Sequence, residues 1–271
     1  MKIKVAAVQM AFDGRVGRNL WTMEVTIRRL ARKRVRVAVF PECCLSGYLV
    51  PAKDRDWPAI AAGVKRLREL ARAHRMAIIF GTAWPNGRPP SRRSGAMARR
   101  EGGSKPFNSV FAVDERGRIV ARYDKCHPTK GDLKMFSRGR RLARVIRLAG
   151  ARLAMQICFD VRFPEAARLA TLAGAQVLVY SFAAYGRQLW KLPVLEGSLR
   201  CRAAENGVFL VAANRGHRQL FVASRILDPD GCDLAAARVG RPDVITATID
   251  PTKAHHSYPK QRRPDLYQLK G

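Results

Sequence analysis

Apolar positions along this chain switch repeatedly between the two-residue repeat of a strand and the helical repeat of about 3.6 residues. Ile3 to Met10 is a nearly continuous apolar run and predicts a buried strand. From Asn19 to Arg32, Leu20, Met23, Ile27 and Leu30 fall at helical spacing. Val35 to Phe40 predicts a second strand. Ala59 to His74 predicts a helix with Ile60, Val64, Leu67 and Leu70 on one face, and Ala77 to Trp84 a third strand. Pro85 to Lys105 is rich in Gly, Pro, Ser and Arg and predicts a flexible basic loop bordering the pocket entrance. Two hairpins follow. Ser109 to Asp114 and Ile119 to Tyr123 flank a turn at Glu115 to Gly117, and Val145 to Leu148 and Arg152 to Ile157 flank Ala149-Gly150.

In the second half, Glu165 to Ala173 predicts a helix closed by Gly174, followed by the strand Val177 to Ser181. Leu195 to Glu205 predicts a helix and Val208 to Asn214 a strand. Phe221 to Leu227 and Val244 to Ile249 are expected to flank the Asp230-Gly231 turn, and the tail from Pro251 to Gly271 is irregular. Strands alternating with helices, with added hairpins, imply an α/β fold in which helices cover sheets. A length of 271 residues, 47% of them hydrophobic, suits one domain spanning 1–271.

Composition changes this picture in three places. No apolar run reaches membrane-spanning length and the chain enters its first strand almost at once, so a cytoplasmic location is expected. The six cysteines form no C-x-x-C pair and are expected to stay reduced, with no structural disulfide. Cys126-His127 would be adjacent on a strand and point to opposite faces, so no metal site is expected. The formal charge is +30, with 51 Lys and Arg against 21 Asp and Glu. Such an excess would suit nucleic acid. The basic residues are spread along the whole chain, however, as a bias toward Arg codons would also produce. No nucleic-acid-binding phrase accompanies them. The expectation is a solvated basic surface with no nucleic-acid partner.

Candidate chemistry centres on Cys158, where the strand pattern ending at Ile157 meets a helix pattern opened by Pro164-Glu165. A thiol at that corner lies near the positive end of a helix dipole, which favours the nucleophilic thiolate. Glu42 and Lys125 also follow strand patterns. Phe40-Pro41-Glu42 with Ser46-Gly47-Tyr48, Tyr123-Asp124-Lys125, and Cys158-Phe159-Asp160 with Arg162-Phe163-Pro164-Glu165 occur in that order. Supporting phrases are Val5 to Gln9, Phe107-Asn108-Ser109, Arg202 to Asn206, Asp228 to Gly231 and Arg262 to Tyr267. This ordered set resembles the nitrilase superfamily of carbon–nitrogen hydrolases, amidase-type branch, over nearly the whole chain.

The resemblance implies a four-layer α-β-β-α sandwich whose subunits pair, as a homodimer or higher homo-oligomer, through helices beside the active site. It implies a Glu–Lys–Cys triad and no cofactor. Cys158 would attack the carbonyl carbon of a small amide. Lys125 and the backbone N–H of Phe159 would stabilise the oxyanion. Glu42 would take the thiol proton, protonate the leaving nitrogen and activate water against the thioester. Many relatives carry a second glutamate between Lys and Cys. Here the corresponding acid is Asp132, one methylene shorter, which would hold Lys125. A His-Trp pair common before the late helix end is replaced by Pro193-Val194, so that wall of the pocket differs.

Nitrile hydrolases of the superfamily typically follow the Cys with Trp-Glu. Phe159-Asp160 resembles the amidase type instead, and Arg162 to Glu165 resembles enzymes of small carboxamides, including ω-amides. Carbamoyl-amine hydrolysis shares the same chemistry. Tyr48, Ser181, Phe182, Tyr185 and Arg187 follow strands expected to end at the substrate pocket. The alternative from another class is a non-catalytic basic scaffold, or nucleic-acid-binding protein, on the same fold.

Overall fold

A computed structural model of the chain describes residues 1–86 and 105–266, so most of the expected 85–105 loop and the last residues of the tail lie outside the described residues. In chain order the elements are β1 (Ile3–Gln9), α1 (Val16–Arg32), β2 (Val37–Val39), α2 (Trp57–His74), β3 (Ala77–Trp84), β4 (Phe107–Val113), β5 (Ile119–Asp124), β6 (Ile146–Leu148) and β7 (Ala151–Ile157). Then come α3 (Pro164–Leu172), β8 (Val177–Ser181), α4 (Lys191–Ala204), β9 (Phe209–Ala213), β10 (Arg225–Leu227), β11 (Asp233–Ala236), β12 (Asp243–Ile249) and α5 (Ser257–Lys260). The strands form two sheets, β12-β1-β2-β3-β4-β5 and β11-β10-β9-β8-β7-β6.

Strand alternation explains the layering. Successive side chains point to opposite faces. In β1, Ile3, Val5 and Ala7 enter a core shared with the second sheet, whereas Ala6 and Val8 join Met23, Ile27 and Leu30 of α1. In β7 and β8, Leu153, Met155, Val177 and Val179 face the first sheet, whereas Ala154, Leu178 and Tyr180 face α3 and α4. Both faces of both sheets are therefore covered, which is why these strands read as continuous apolar runs. The result is helices, sheet, sheet, helices: the four-layer sandwich of the nitrilase type.

Local signals fix the element ends. The Asp56 side chain accepts the Ala59 N–H at 2.9 Å and Pro58 occupies the first turn, so α2 starts at Trp57, ahead of the expected Ala59. Likewise α4 starts at Lys191, before Leu195, because Pro193 falls in the first turn, where its missing N–H costs nothing. Ala149 and Gly150 both have positive φ, 49° and 89°, as a two-residue hairpin turn requires. One expectation is corrected. The Asp230-Gly231 turn joins β10 to β11, not to Val244–Ile249, and β12 leaves that sheet to pair antiparallel with β1 at the edge of the other, Ile3 opposite Ile249. Nothing local to Val244–Ile249 specifies a partner so far away in sequence.

β1, β2 and β3 are parallel, and so are β7, β8 and β9. Because β4 is antiparallel to both β3 and β5, β5 runs in the same direction as β3. The segments following β2, β5, β7 and β8 consequently emerge together, which sets the position of the site. Among the described residues no helix is long and apolar enough to cross a membrane.

Candidate active site

Glu42, Lys125 and Asp132 converge where those segments emerge. Lys125 Nζ donates to Glu42 Oε1 at 2.7 Å and to Asp132 Oδ2 at 2.9 Å. All three side chains are buried, with relative exposures of 0% for Glu42, 1% for Lys125 and 2% for Asp132. A buried cation between two carboxylates is stable only with close geometry and satisfied hydrogen bonds, and here both are present. Glu42 Oε1 also accepts from Asn108 Nδ2 at 2.6 Å, and Oε2 accepts the Ala183 N–H at 2.8 Å. Asp132 accepts from the Tyr48 hydroxyl at 2.5 Å and the Thr129 N–H at 2.8 Å. The shorter acid thus still reaches Lys125, from a 3-10 turn spanning Asp132–Lys134.

Cys158 directly follows β7 and adopts φ +47°, a conformation few non-glycine residues take. Glu42, Lys125 and Asp132 all act on the charge of its thiol, as does the Ala183 N–H. Burial, and then the Glu42 carboxylate, push the thiol well above its ordinary range, against the pull of Lys125. This corrects the expectation of a dipole-favoured thiolate. A 3-10 turn over Cys158–Arg162 separates the thiol from α3, and burial beside the Glu42 carboxylate acts on it directly. Burial likewise raises Glu42, with Lys125 opposing and Asp132 reinforcing the shift. Burial disfavours the Lys125 cation, but Glu42, Cys158 and Asp132 together hold it well above its ordinary range. For Asp132 burial is outweighed by Lys125 and by the donated hydrogen bonds, so its carboxyl titrates below the usual range. The resting site therefore holds a neutral thiol beside a Lys125 cation and a charged Asp132.

Asp160 ties the nucleophile corner to the Lys125 segment. Its Oδ2 accepts from the Tyr123 hydroxyl at 2.8 Å and the Ile157 N–H at 2.9 Å. Its Oδ1 accepts the His127 N–H at 3.0 Å and meets His127 Nδ1 at 2.8 Å. Tyr123 and His127 bracket Lys125, and Ile157 precedes Cys158, so one buried carboxylate sets the spacing of the two segments. Arg55, also buried, donates to the carbonyls of Ser46 at 3.3 Å and Gly47 at 3.0 Å, and so fixes the loop that carries Tyr48. Asp160 stands in the Cys158 phrase and Arg55 in none, and the bracing role of neither is legible in sequence, because most of their partners lie in other segments.

The expected pocket residues divide. Tyr48 belongs to the cluster through Asp132. Ser181 is fully buried and its hydroxyl donates to the Phe40 carbonyl at 2.9 Å. The Phe182 side chain packs in the core beside α3 and α4, while its carbonyl accepts the Glu42 N–H at 3.2 Å. Tyr185 lies under Arg215, its ring centre 4.5 Å from the guanidinium carbon, and packs at a tilt against His217, with ring centres 4.6 Å apart. Arg187 is exposed and pairs with no acid among the described residues. Phe159, 36% exposed, opens the turn after Cys158 and lies edge-on to Phe163. An open groove of about 480 Å³ beside β5, flanked by Arg140, Arg141 and Arg144, contains no member of the cluster.

The pattern of the carbon-nitrogen hydrolases matches residues 4–256. The chain belongs to the carbon-nitrogen hydrolase family. Among its relatives, the hydrolase in the pqqF 5' region of Pseudomonas protegens is 30% identical, over 84% of this chain and 78% of that protein. The N-carbamoylputrescine amidase of Solanum lycopersicum is 27% identical over 98% of this chain and 94% of its own. The citrullinase of Francisella tularensis is 25% identical over 98% and 96%. An amidase crystal structure from Nesterenkonia sp. superposes with a TM-score of 0.80 at 23% identity, covering 97% of this chain and 94% of that one, and shares its fold. The protein is accordingly an amidase-like hydrolase of non-peptide carbon–nitrogen bonds.

Proposed function

We propose that this hydrolase cleaves a small carboxamide through a thioester on Cys158, with Glu42, Lys125 and Cys158 as its triad. The observation that carries this is the fully buried Lys125 ammonium, held between Glu42 and Asp132 and acting on the Cys158 thiol. Lys125 Nζ bonds to Glu42 Oε1, which leaves Oε2, with its single N–H donor, as the oxygen able to take the thiol proton. As Sγ bonds to the amide carbon, that proton passes to Glu42, and the carbonyl oxygen becomes an anion facing Lys125 and the Phe159 N–H. Glu42 then returns the proton to the nitrogen as the carbon–nitrogen bond breaks, releasing ammonia. Water loses a proton to Glu42, adds to the thioester and displaces Sγ, which takes that proton back from Glu42. Each carboxylic acid product leaves the thiol and carboxylate as they began.

The raised thiol makes the proton transfer necessary, since little thiolate stands ready. Burial of the Glu42, Lys125 and Asp132 side chains suits a small substrate. A second branch, hydrolysis of N-carbamoyl amines, is supported by the citrullinase and N-carbamoylputrescine amidase among the relatives. It uses the same steps on a ureido carbon.

The two are separated by ammonia release from a panel of small carboxamides, ω-amides, carbamoyl-amines and nitriles, with wild type and Cys158→Ala in parallel. Turnover by wild type alone is expected, and the best compound assigns the branch. Turnover that survives Cys158→Ala would exclude the thioester route. Absence of turnover by either, with salt-sensitive polyanion binding unchanged by the substitution, would favour the basic scaffold.

A further inference from the structure

We propose that Asn108 is a positioning residue that holds Glu42 with Oε1 occupied and Oε2 alone directed at the Cys158 proton. This rests on the role proposed for Glu42. Asn108 sits on β4, is 1% exposed, and donates from Nδ2 to Glu42 Oε1 at 2.6 Å. Its other end, Oδ1, accepts from the Cys43 thiol at 3.4 Å. Cys43 is the next residue after Glu42, is fully buried, and adopts φ +49°. Asn108 therefore clasps two consecutive residues of one turn, the carboxylate with its donor end and the thiol with its acceptor end.

That pairing decides which way the amide faces. A reversed amide would set its oxygen against the Glu42 carboxylate and its N–H₂ against a thiol that must then accept. Cys43 can keep donating because burial, and then the neighbouring Glu42 charge, push its thiol far above the ordinary range. It is consequently a poor nucleophile despite its place beside the site, and its S–H serves to orient Asn108. With Lys125 Nζ and Asn108 Nδ2 both on Oε1, that oxygen has little capacity left for a third proton. Oε2 faces the Ala183 N–H, which also acts on the Cys158 thiol.

The charged and titratable groups acting on Glu42 come from several segments. They are Lys125 after β5, Asp132 from its 3-10 turn, Cys158 after β7, and Tyr48 and Cys43 from Glu42's own loop. Asn108 is the neutral member of this shell, and its bond favours the charged carboxylate. Losing that bond raises the carboxyl further, so the acid limb of the rate profile moves to higher pH.

The test is the pH dependence of kcat/KM for Asn108→Leu, Cys43→Ala and Cys43→Ser. Asn108→Leu should shift the acid limb upward by about one pH unit and lower kcat about 30-fold, with KM changed less than about threefold. Cys43→Ala should lower kcat about fivefold, and Cys43→Ser, which restores a donor to Oδ1, should recover to within about twofold of wild type. Alkylation of Cys158 by iodoacetamide, which also requires loss of the thiol proton, should show the same displacement of its acid limb. Because alkylation needs no substrate, it reads the Asn108 link even if no amide in the panel is turned over. An acid limb that stays in place in Asn108→Leu, or Cys43→Ser no better than Cys43→Ala, would overturn the proposal. If Asn108→Leu fails to fold, the cysteine pair decides alone.

Discussion

Replacing Lys125 with methionine should remove turnover and destabilise the protein at once. Methionine fills a similar volume but leaves Glu42 and Asp132 buried without the ammonium that contacts both at 2.7 and 2.9 Å. An unpaired buried charge of this kind costs about 3–5 kcal/mol. Loss of the oxyanion partner should reduce kcat by about 100- to 1,000-fold. The destabilisation has a definite pH dependence. In wild type Asp132 titrates below the usual range, so its contribution is present above the unfolded-state pKa and lost as the pH falls through the folded one. In the variant, burial and mutual repulsion raise both carboxyls above their unfolded values. The variant's deficit should accordingly grow as pH rises and shrink on acidification, as the acids take up protons. Thermal melts of both proteins across the acidic and neutral range test this. A variant that melts with wild type at neutral pH, or keeps a tenth of its turnover, would contradict the arrangement described.

The second large effect is expected at Gly81, which has no side chain of its own and abuts the backbone of the turn that carries Glu42. A Cβ there would lie 2.4 Å from the Cys43 nitrogen, 2.6 Å from the Glu42 Cα and 2.6 Å from the Pro41 oxygen. These are backbone atoms, which cannot rotate aside. Gly81 N–H also donates to the Pro41 carbonyl at 3.1 Å, and its carbonyl accepts the Leu45 N–H at 3.2 Å, so strand and turn are stitched together at this residue. Gly81→Ala must push the turn that carries Glu42 away from β3. A displacement approaching 1 Å costs about 100-fold in rate, and the overpacking about 1–3 kcal/mol in stability. Gly197→Ala is the matched control. Nothing lies within 4 Å of that Cβ, and the residue is inside α4, so stability should rise slightly with kcat unchanged. Equal kcat in the two variants would show that the β3 contact does not set the position of Glu42.

Much of the fold was legible because strand runs covered on both faces are continuously apolar and the surface helices keep their spacing. The candidate site was legible at Glu42, Lys125 and Cys158 because each sits in a short phrase just after a strand. What the residues could not reveal were the contacts made across segments. Asp160, Asn108 and Ala183 hold the cluster together through partners 33, 66 and 141 positions away. The thiol's raised titration was missed for the same reason. A dipole can be inferred from the residues after Cys158, whereas burial beside Glu42 depends on the packing of two sheets. Likewise β12 pairs with a strand at the other end of the chain, Thr248 opposite Lys4, 244 positions away.

The central claim is an acyl group carried on Cys158, and rapid quench followed by intact-mass and peptide analysis tests it most directly. With the best amide from the panel, wild type should show one acyl equivalent on the peptide containing Cys158, formed as fast as ammonia is released and absent from Cys158→Ala. Glu42→Gln, which lacks the base for deacylation, should slow both steps and keep any adduct formed. Ammonia release at the wild-type rate with no adduct on Cys158, or an adduct on Cys43 instead, would contradict the account.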